Sequence, residues 1–313
     1  MGININTAHF LTMCYSPSDN SPIRKVDYSK SLMLGRQAFS SPTHKYIQQF
    51  KKRYSFLPCD KLDKFCKEIR QDKYAETLFK LLGAHTIESL DCSDYESSSI
   101  IHDLNDAVPP ELENKFTCVF DGGTLEHVFN YPVALNNAMK MVCIGGHLIL
   151  STPGNNWFGH GFYQFSPDLF YSVLCEENGF ADTLIFCNNK EKWYFIEDYC
   201  ETNLNIEVYP KWENMLIYIV SRKCAKTPER IAAYQSIYEK ALLEGNMHKV
   251  EVTGNSGKPA KGQPLIYRTL LKRLPLPIRR VLRHLLKVRI IKNIVRKIQK
   301  REDFKQIYVP TIL

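Results

Sequence analysis

Short apolar runs that stop on polar or glycine residues recur along the first two thirds of the chain, and they predict buried strands. The clearest run covers residues 116–120 and stops at Asp121-Gly122-Gly123. Such a run is typical of a strand that is covered on both faces of a sheet. In open α/β sheets, ligands bind just outside the carboxyl ends of the strands, where glycines let them approach the backbone. This stop is therefore the first candidate for a binding site, the alternative being an ordinary polar turn.

The same pattern predicts the order of the other elements. Further strands are predicted at 30–35, 86–91, 99–105, 147–153, 182–187 and 215–221, with Gly145-Gly146 forming the turn before the strand at 147–153. Apolar residues at helical spacing and capping signals predict helices at 73–83, 132–142 and 166–178, the last with Ser166 as its N-cap. The alternation of strands and helices predicts a single doubly wound α/β domain.

Carboxylates end three of the predicted strands, at Asp91, Asp103 and Asp121. A carboxylate at the tip of the second strand is the arrangement that holds a ribose diol. The first strand ends on Gly35 alone, without the Gly-x-Gly-x-x-Gly sequence of a dinucleotide loop. The polar segment 36–72 that follows is predicted to be a helical insertion, which either covers a site or forms ordinary surface helices.

Two further segments bring polar side chains to the same edge of the predicted sheet. Glu126 and His127 follow the glycine pair, and the loop after the strand at 147–153 contains Trp157, His160 and Tyr163. A loop with so many aromatic residues is more often a pocket wall than a solvated connection. We therefore expect both segments to face one ligand.

Length and cysteine usage limit the class of protein. A chain of 313 residues with 44% hydrophobic residues can hold one α/β domain with an appendage. Its ten cysteines show no Cys-x-x-Cys pair and no metal-like Cys/His spacing, so we predict reduced thiols and no metal site. No stretch is long and apolar enough to cross a membrane, and the N-terminus lacks a basic lead and a cleavage signal. These features predict a cytoplasmic protein.

The net charge of +8 hides an asymmetry between two parts of the chain. Residues 225–313 carry 20 Lys/Arg against 6 Asp/Glu, whereas residues 1–224 carry 21 against 27. A helix is predicted from Thr227 to about residue 243, followed by a flexible linker. Residues 265–301 then combine basic residues with an apolar stripe at helical spacing, which favours binding to the anionic inner face of a membrane. Nucleic-acid binding and packing on the protein's own domain are the alternatives.

Several segments together resemble the class I methyltransferases that depend on S-adenosylmethionine (SAM), in particular the group with Leu-Glu-His-Val after strand four. The matching segments are LDCSDYE, IIHDLN, FDGGTLEHV, CIGGHLILSTP and HGFYQFSPDLF, and the match covers about residues 30–223. The resemblance implies a Rossmann-like fold with a three-layer, mostly parallel sheet whose last strand is antiparallel. The chain then divides into an N-terminal segment (1–29), a methyltransferase domain (30–223) and a basic helical C-terminal extension (224–313).

The resemblance also implies roles for individual residues. SAM would be the cofactor, and the residues that bind it would be Gly35, Asp91, Asp103, Leu104, Asp121, Gly122 and Gly123. The acceptor pocket would be lined by Glu126, Trp157 and Tyr163. An oxygen acceptor must lose its proton, and His127 and His160 are the candidates for the general base. The alternative for His127 is a structural imidazole.

The function that this predicts is methylation of an oxygen acceptor, which would be a sugar, a glycan or a related small molecule made at the inner membrane surface. Two alternatives remain open. The single-glycine loop after strand one fits a methyltransferase fold that serves only as a binding or scaffold module. The basic tail fits an RNA methyltransferase, although no Asn/Asp-Pro-Pro-Tyr/Phe sequence follows strand four.

Overall fold

The computed structural model describes residues 2–18, 21–39, 44–54, 59–69, 73–189, 192–198 and 214–235. The strands are β1 (Lys30–Leu34), β2 (Thr86–Asp91), β3 (Ile100–Ile101), β4 (Phe116–Asp121), β5 (Val142–Asn155), β6 (Phe180–Asn189), β7 (Lys192–Ile196) and β8 (Met215–Lys223). The helices are α1 (Ile5–Tyr15), α2 (His44–Arg53), α3 (Cys59–Glu68), α4 (Glu76–Leu81), α5 (Tyr131–Met141) and α6 (Pro167–Val173). Short 3₁₀ helices span Pro110–Leu112, Leu125–His127 and Glu176–Asn178. The linker and basic segment predicted beyond residue 243 lie outside the described residues.

The strands form one sheet in the order β3-β2-β1-β4-β5-β8-β6-β7. From β3 to β5 in this order, every neighbouring pair is parallel. The last strand, β8, is antiparallel to both β5 and β6, between which it lies. The predicted mostly parallel sheet with an antiparallel last strand is therefore confirmed. The edge strand β7, which forms a hairpin with β6, was not predicted.

Apolar side chains alternate between the two faces of the sheet, and both faces are covered. Leu32 and Leu34 of β1 pack into a core with α5 and α6, whereas Met33 packs into a second core with α1 to α4. In β4, Val119 joins the first core and Phe120 the second. Strands with both faces buried have the continuous apolar runs that predicted them. The fold accordingly has three layers, as predicted.

Helix α1 precedes every predicted element and packs on the sheet. Its N-cap is Asn4, whose side-chain oxygen accepts hydrogen bonds from the backbone N–H groups of Asn6 and Thr7. The ring of Phe10 lies 5.8 Å from that of Phe186 and 5.2 Å from that of Tyr218, measured between centroids. The N-terminal segment thus contributes to the core on the face shared with α2, α3 and α4.

The segment predicted as a helical insertion contains α2 and α3. The ring centroid of Phe50 lies 4.3 Å from that of Tyr54 and 4.9 Å from that of Phe65, so the two helices share an aromatic contact. The Tyr54 hydroxyl also pairs with Nδ1 of His9 in α1. Among the described residues, no helix combines the length and apolar character needed to cross a bilayer.

The glycine pair Gly145-Gly146 lies inside β5, which corrects the predicted turn before a strand. β4 advances from Phe116 to Cys118 while its partner advances from Val142 to His147, so the extra residues of β5 form a bulge. Gly145 has φ +88°, a left-handed conformation that favours glycine. The sequence pattern predicted a turn at Gly145-Gly146, because glycine is typical of both turns and β-bulges and does not distinguish them.

The strand predicted at 99–105 and the helix predicted at 166–178 are both shorter in the structure. Only Ile100–Ile101 pairs with β2. Ser166 is the N-cap of α6, as predicted, but α6 ends at Val173. The side chains of Asn178 and Thr183 bond the carbonyl oxygens of Val173 and Leu174, at 3.0 and 2.5 Å, and so replace further helical hydrogen bonds.

The helix predicted from Thr227 is absent over the described residues 227–235. The Asn178 side chain forms hydrogen bonds with both backbone polar groups of Ala232. Its Nδ2 donates to the Ala232 oxygen at 2.8 Å, and its Oδ1 accepts from the Ala232 nitrogen at 3.1 Å. Glu229 forms an ion pair of 2.6 Å with Lys140. These contacts hold the segment against α5 and the 3₁₀ helix at 176–178 without a helix of its own. The remainder of the predicted helix lies outside the described residues.

A buried lysine joins the end of α5 to β5 and β8. The ammonium of Lys223 donates to the carbonyl oxygens of Met139, Lys140 and Val142, at 3.0, 3.1 and 2.7 Å. The last carbonyls of a helix have no partner within the helix and carry partial negative charge, so a cation is favourable there. Burial lowers the pKa of Lys223 to about 8.

Candidate functional site

The tips of β1, β2 and β4 meet at one edge of the sheet. Leu34, the last residue of β1, pairs with Leu90 on one side and with Asp121 on the other. Gly35 follows with φ +67° and donates its backbone N–H to the Leu90 oxygen at 2.7 Å. The structure thus brings Gly35, Asp91 and Asp121 to neighbouring positions.

A glutamine that the sequence pattern did not single out fills the space between the tips of β1 and β4. The buried Gln37 donates from Nε2 to the Leu34 oxygen at 2.5 Å and to Oγ1 of Thr124 at 3.2 Å. A Cβ atom at Gly35 would lie 2.6 Å from Thr124 Oγ1, and one at Gly122 would lie 2.6 Å from Gln37 Oε1. Both glycines therefore permit the close approach of these two side chains.

Asp121 is fully buried and holds the turn that follows β4. Its Oδ1 accepts hydrogen bonds from the backbone N–H groups of Thr124 and Leu125, at 2.9 and 3.4 Å. Its Oδ2 and the Oε1 of Gln37 are buried and have no hydrogen-bond partner among the described residues. Burial raises the pKa of Asp121 to about 6, against the lowering effect of the backbone N–H groups. Two buried acceptor atoms at this edge thus lack a hydrogen-bond donor within the described part of the chain.

The second and third acids occupy more open positions. Asp91 is half-buried at the end of β2, and Asp103 is exposed in the loop after β3 rather than at a strand end. Asp103 accepts from the backbone and side-chain nitrogens of Asn105, at 2.9 and 2.8 Å, and these hydrogen bonds lower its pKa. Leu104 is buried in the core with α5. Asn137 of α5 fixes the loop, because its Nδ2 donates to the Asp106 oxygen at 2.7 Å.

Glu126 lies fully buried between two histidines. Its Oε1 is 3.5 Å from Nε2 of His160 and 3.9 Å from Nε2 of His127, and the two imidazole centroids are 5.1 Å apart. Burial and the neighbouring Asp121 raise the pKa of Glu126 to about 8. Burial also lowers the pKa of both histidines, and for His127 the nearby His160 adds to this effect. The His127 side chain is 44% exposed and faces solvent.

The aromatic loop docks directly on Glu126. The backbone N–H groups of Phe162 and Tyr163 donate to the Glu126 oxygen at 2.9 and 3.3 Å. A Cβ atom at Gly161 would lie 2.9 Å from that same oxygen, so glycine permits the contact. The Trp157 ring lies 5.0 Å from that of His160. This docking brings two histidines together that are 33 positions apart in the sequence.

Exposed aromatic side chains lie two positions away from each histidine in the sequence. Phe129, Phe158 and Phe162 are 74%, 92% and 67% exposed. The rings of Phe129 and Phe162 meet edge to face at 6.0 Å, and Tyr163 anchors this region through a 2.6 Å hydrogen bond from its hydroxyl to the Phe129 oxygen. Clustered exposed apolar groups with a polar centre are typical of a binding surface.

Comparison with known proteins found similarity at the level of structure. No protein-family model and no curated protein matches the sequence. A protein of Bacillus halodurans assigned as a methyltransferase is 10% identical, with 70% of this chain and 99% of that chain covered and a TM-score of 0.39. A SAM-dependent methyltransferase of Thermotoga maritima is 13% identical, with 70% and 89% covered and a TM-score of 0.33. A branched-chain polyamine synthase of Thermus thermophilus is 12% identical, with 60% and 66% covered and a TM-score of 0.32.

The fold is established by the strand order of the chain itself. With the edge strand β7 set aside, the order β3-β2-β1-β4-β5-β8-β6 and the antiparallel β8 are those of class I methyltransferases. The predicted class I methyltransferase fold is therefore confirmed. In open sheets of this kind, ligands bind outside the carboxyl ends of the strands, which is the edge that the acids and histidines share.

Proposed function

We propose that this chain, which has the class I methyltransferase fold, is a SAM-dependent methyltransferase that acts on a hydroxyl group of a sugar, glycan or related small molecule. The observation that carries the proposal is the position of the two imidazoles. His127 lies in the 3₁₀ helix that follows β4, and His160 lies in the loop after β5. Both imidazoles approach Glu126, which is close enough to Asp121, the acid at the tip of β4, for that acid to raise its pKa. A cofactor bound at this edge would thus have a proton acceptor close by.

The polar groups at the tips of β1 and β4 fit the amino-acid end of SAM. Gln37 Oε1 and Asp121 Oδ2 are buried acceptors that lack a donor within the described part of the chain. A buried acceptor without a donor costs about 1–3 kcal/mol, and an ammonium group would satisfy it. Gly35, Gly122 and Gly123 would leave room for the backbone to approach the ligand. The Gln37 side chain would adjust its position to admit the ligand.

The remaining cofactor contacts would come from β2 and the loop after β3. Asp91 would accept the hydroxyl protons of the ribose, and Asp103 would lie at the adenine side, above the buried Leu104. SAM supplies an electrophilic methyl group on a good leaving group, so the protein contributes chiefly by positioning the reactants.

The acceptor would bind between the histidine pair and the aromatic loop. His127 or His160 would accept the hydroxyl proton, because a neutral imidazole within reach of that proton is an effective general base. Glu126 would support the imidazoles from the interior. Trp157, Tyr163 and the exposed Phe162 would offer apolar faces to the carbon skeleton of a sugar or a similar acceptor.

A second candidate function is ligand binding without catalysis. The observation that favours it is the Gln37 side chain, which occupies the place between the tips of β1 and β4 and bonds the end of β1. A protein that binds neither SAM nor its product would support this alternative.

We expect Asp91→Ala to weaken SAM binding by about 1–3 kcal/mol, which is the range for a lost charge-assisted hydrogen bond. The measurement is calorimetric titration of the wild-type protein and the variant with SAM. Asp94→Ala is the matched control, because Asp94 is an exposed acid in the turn that follows β2 and its replacement changes the net charge equally. Equal affinities of wild type and Asp91→Ala would place Asp91 outside the cofactor site.

A further inference from the structure

We propose that Glu126, His127 and His160 form a binding site for a divalent transition-metal ion. Each residue offers one ligand atom, a carboxylate oxygen or an imidazole nitrogen, and these atoms all lie within 4.8 Å of one another. The sequence predicted no metal site, since two of the residues are adjacent and the third lies 33 positions further on. Only the docking of the aromatic loop on Glu126 assembles them.

The distances between the ligand atoms are close to those of a metal site. Zinc binds histidine nitrogen and carboxylate oxygen at about 2.0–2.2 Å, so ligand atoms around a tetrahedral ion are about 3.4 Å apart. The 3.5 Å between Glu126 Oε1 and His160 Nε2 is already close to this value. The 3.9 Å to His127 Nε2 requires a small rotation of a side chain that is 44% exposed.

The burial of the Glu126 carboxylate is an independent observation that points to a cation. Both of its oxygens and Nε2 of His160 are buried, and none of the three has a hydrogen-bond partner among the residues that the structure describes. Buried carboxyl groups are ordinarily hydrogen-bonded, paired or coordinated, because a buried polar group without a partner costs free energy whether it is charged or protonated. Asp121, five residues earlier, shows the usual solution, with two backbone N–H groups on one of its oxygens.

The ligand types and the scaffold indicate which ion would bind. Two imidazoles and a carboxylate suit zinc and the neighbouring first-row ions, whereas magnesium prefers oxygen ligands alone. The ligands are held by the 3₁₀ helix Leu125–His127 and by the loop whose Phe162 N–H bonds the Glu126 oxygen. Three protein ligands leave a fourth position open on the side where His127 is exposed, which is the arrangement of catalytic rather than structural zinc sites.

The open position gives the ion a role at the acceptor end of the site. With the ion bound, the Nε2 atoms of both histidines are ligands and cannot accept a proton, so the ion would take the place of the imidazole base proposed above. A hydroxyl group bound to the ion would lose its proton to solvent more readily, because a metal ion stabilises the resulting oxygen anion. This role rests on the proposed methyl transfer to an oxygen acceptor. Binding of the ion itself does not rest on the proposed methyl transfer, since it is measured without cofactor and without acceptor.

The test is titration of the full-length protein with Co²⁺, followed by visible absorption. We expect one equivalent of Co²⁺ to bind with d–d bands and without the near-ultraviolet charge-transfer band of thiolate ligands, which separates this site from the cysteines. Glu126→Gln and His160→Ala should each weaken binding by about 100-fold or more, since even residues that only support a ligand contribute 10- to 100-fold.

Two controls keep the result interpretable. His85→Ala removes an exposed histidine outside the cluster, and Asp91→Ala alters the proposed cofactor edge; both should bind Co²⁺ as the wild type does. His127→Ala changes a side chain on the surface of the site and should lose binding without loss of folding, which circular dichroism checks. Unchanged Co²⁺ affinity in Glu126→Gln, His127→Ala and His160→Ala, or a thiolate charge-transfer band, would overturn the proposal.

Discussion

Replacing both His127 and His160 by alanine is expected to lower turnover by about 10²- to 10⁴-fold, the contribution of a general base. The two imidazole centroids are 5.1 Å apart, so either ring could replace the other, and the double variant removes both. SAM affinity should stay close to that of the wild type, because neither ring lies at the tips of β1 and β2. Turnover is measured with methyl-labelled SAM on a hydroxyl acceptor identified by screening glycans and small molecules with the wild type.

The control for this loss is His85→Ala, which removes an exposed histidine remote from the strand tips. It should leave both turnover and SAM affinity unchanged. Full turnover of the double histidine variant would mean that neither imidazole is the base and that positioning alone accounts for the reaction.

Lys223→Met is expected to lower the free energy of unfolding by about 3–5 kcal/mol. Methionine nearly matches the length of the lysine side chain, but it leaves the carbonyl oxygens of Met139, Lys140 and Val142 buried without their donor. Each such loss costs about 1–3 kcal/mol, and the favourable effect of a cation at the end of α5 is lost as well.

Chemical denaturation of the wild type and Lys223→Met measures this difference. Lys226→Met is the control, because Lys226 is exposed and lies three residues further along the chain. A loss of less than about 1 kcal/mol in Lys223→Met would show that water or a rearranged backbone satisfies the three carbonyls.

The sequence predicted the architecture because the strands are buried on both faces. The run at 116–120 is continuous and apolar, since Val119 faces one core and Phe120 the other. The stops at Gly35, Asp91 and Asp121 then marked the tips of β1, β2 and β4, and these tips do lie side by side. Short local signals of this kind were sufficient for the sheet and for its carboxyl edge.

Helix α1 could not be predicted because it is buried around most of its circumference. Its buried residues Thr7, Ala8, His9, Phe10, Leu11, Thr12 and Cys14 include small polar ones, so no apolar stripe marks one face. The prediction of a helix from Thr227 was wrong over residues 227–235 for a different reason. The side chain of Asn178 forms hydrogen bonds with the backbone of Ala232, which is 54 positions further along the chain, and no local sequence signal predicts such a contact.

The interior of the candidate site also could not be predicted from the sequence. The pattern named Glu126, His127 and His160 separately, but the loss of solvent from the Glu126 carboxylate follows from the docking of residues 161–163 on its backbone. Gln37 carried no signal at all, because an isolated glutamine after a strand is ordinarily a surface residue. Its role depends on the close approach of β1 and β4 through Gly35 and Gly122.

We expect the edge formed by the tips of β1, β2 and β4 to bind the cofactor. Calorimetric titration of the full-length protein with S-adenosylhomocysteine, the product of methyl transfer, tests it most directly. One equivalent should bind saturably, and Tm should rise as the ligand concentration exceeds Kd. The absence of both saturable heat and any rise in Tm would contradict it and would favour a methyltransferase fold without its cofactor.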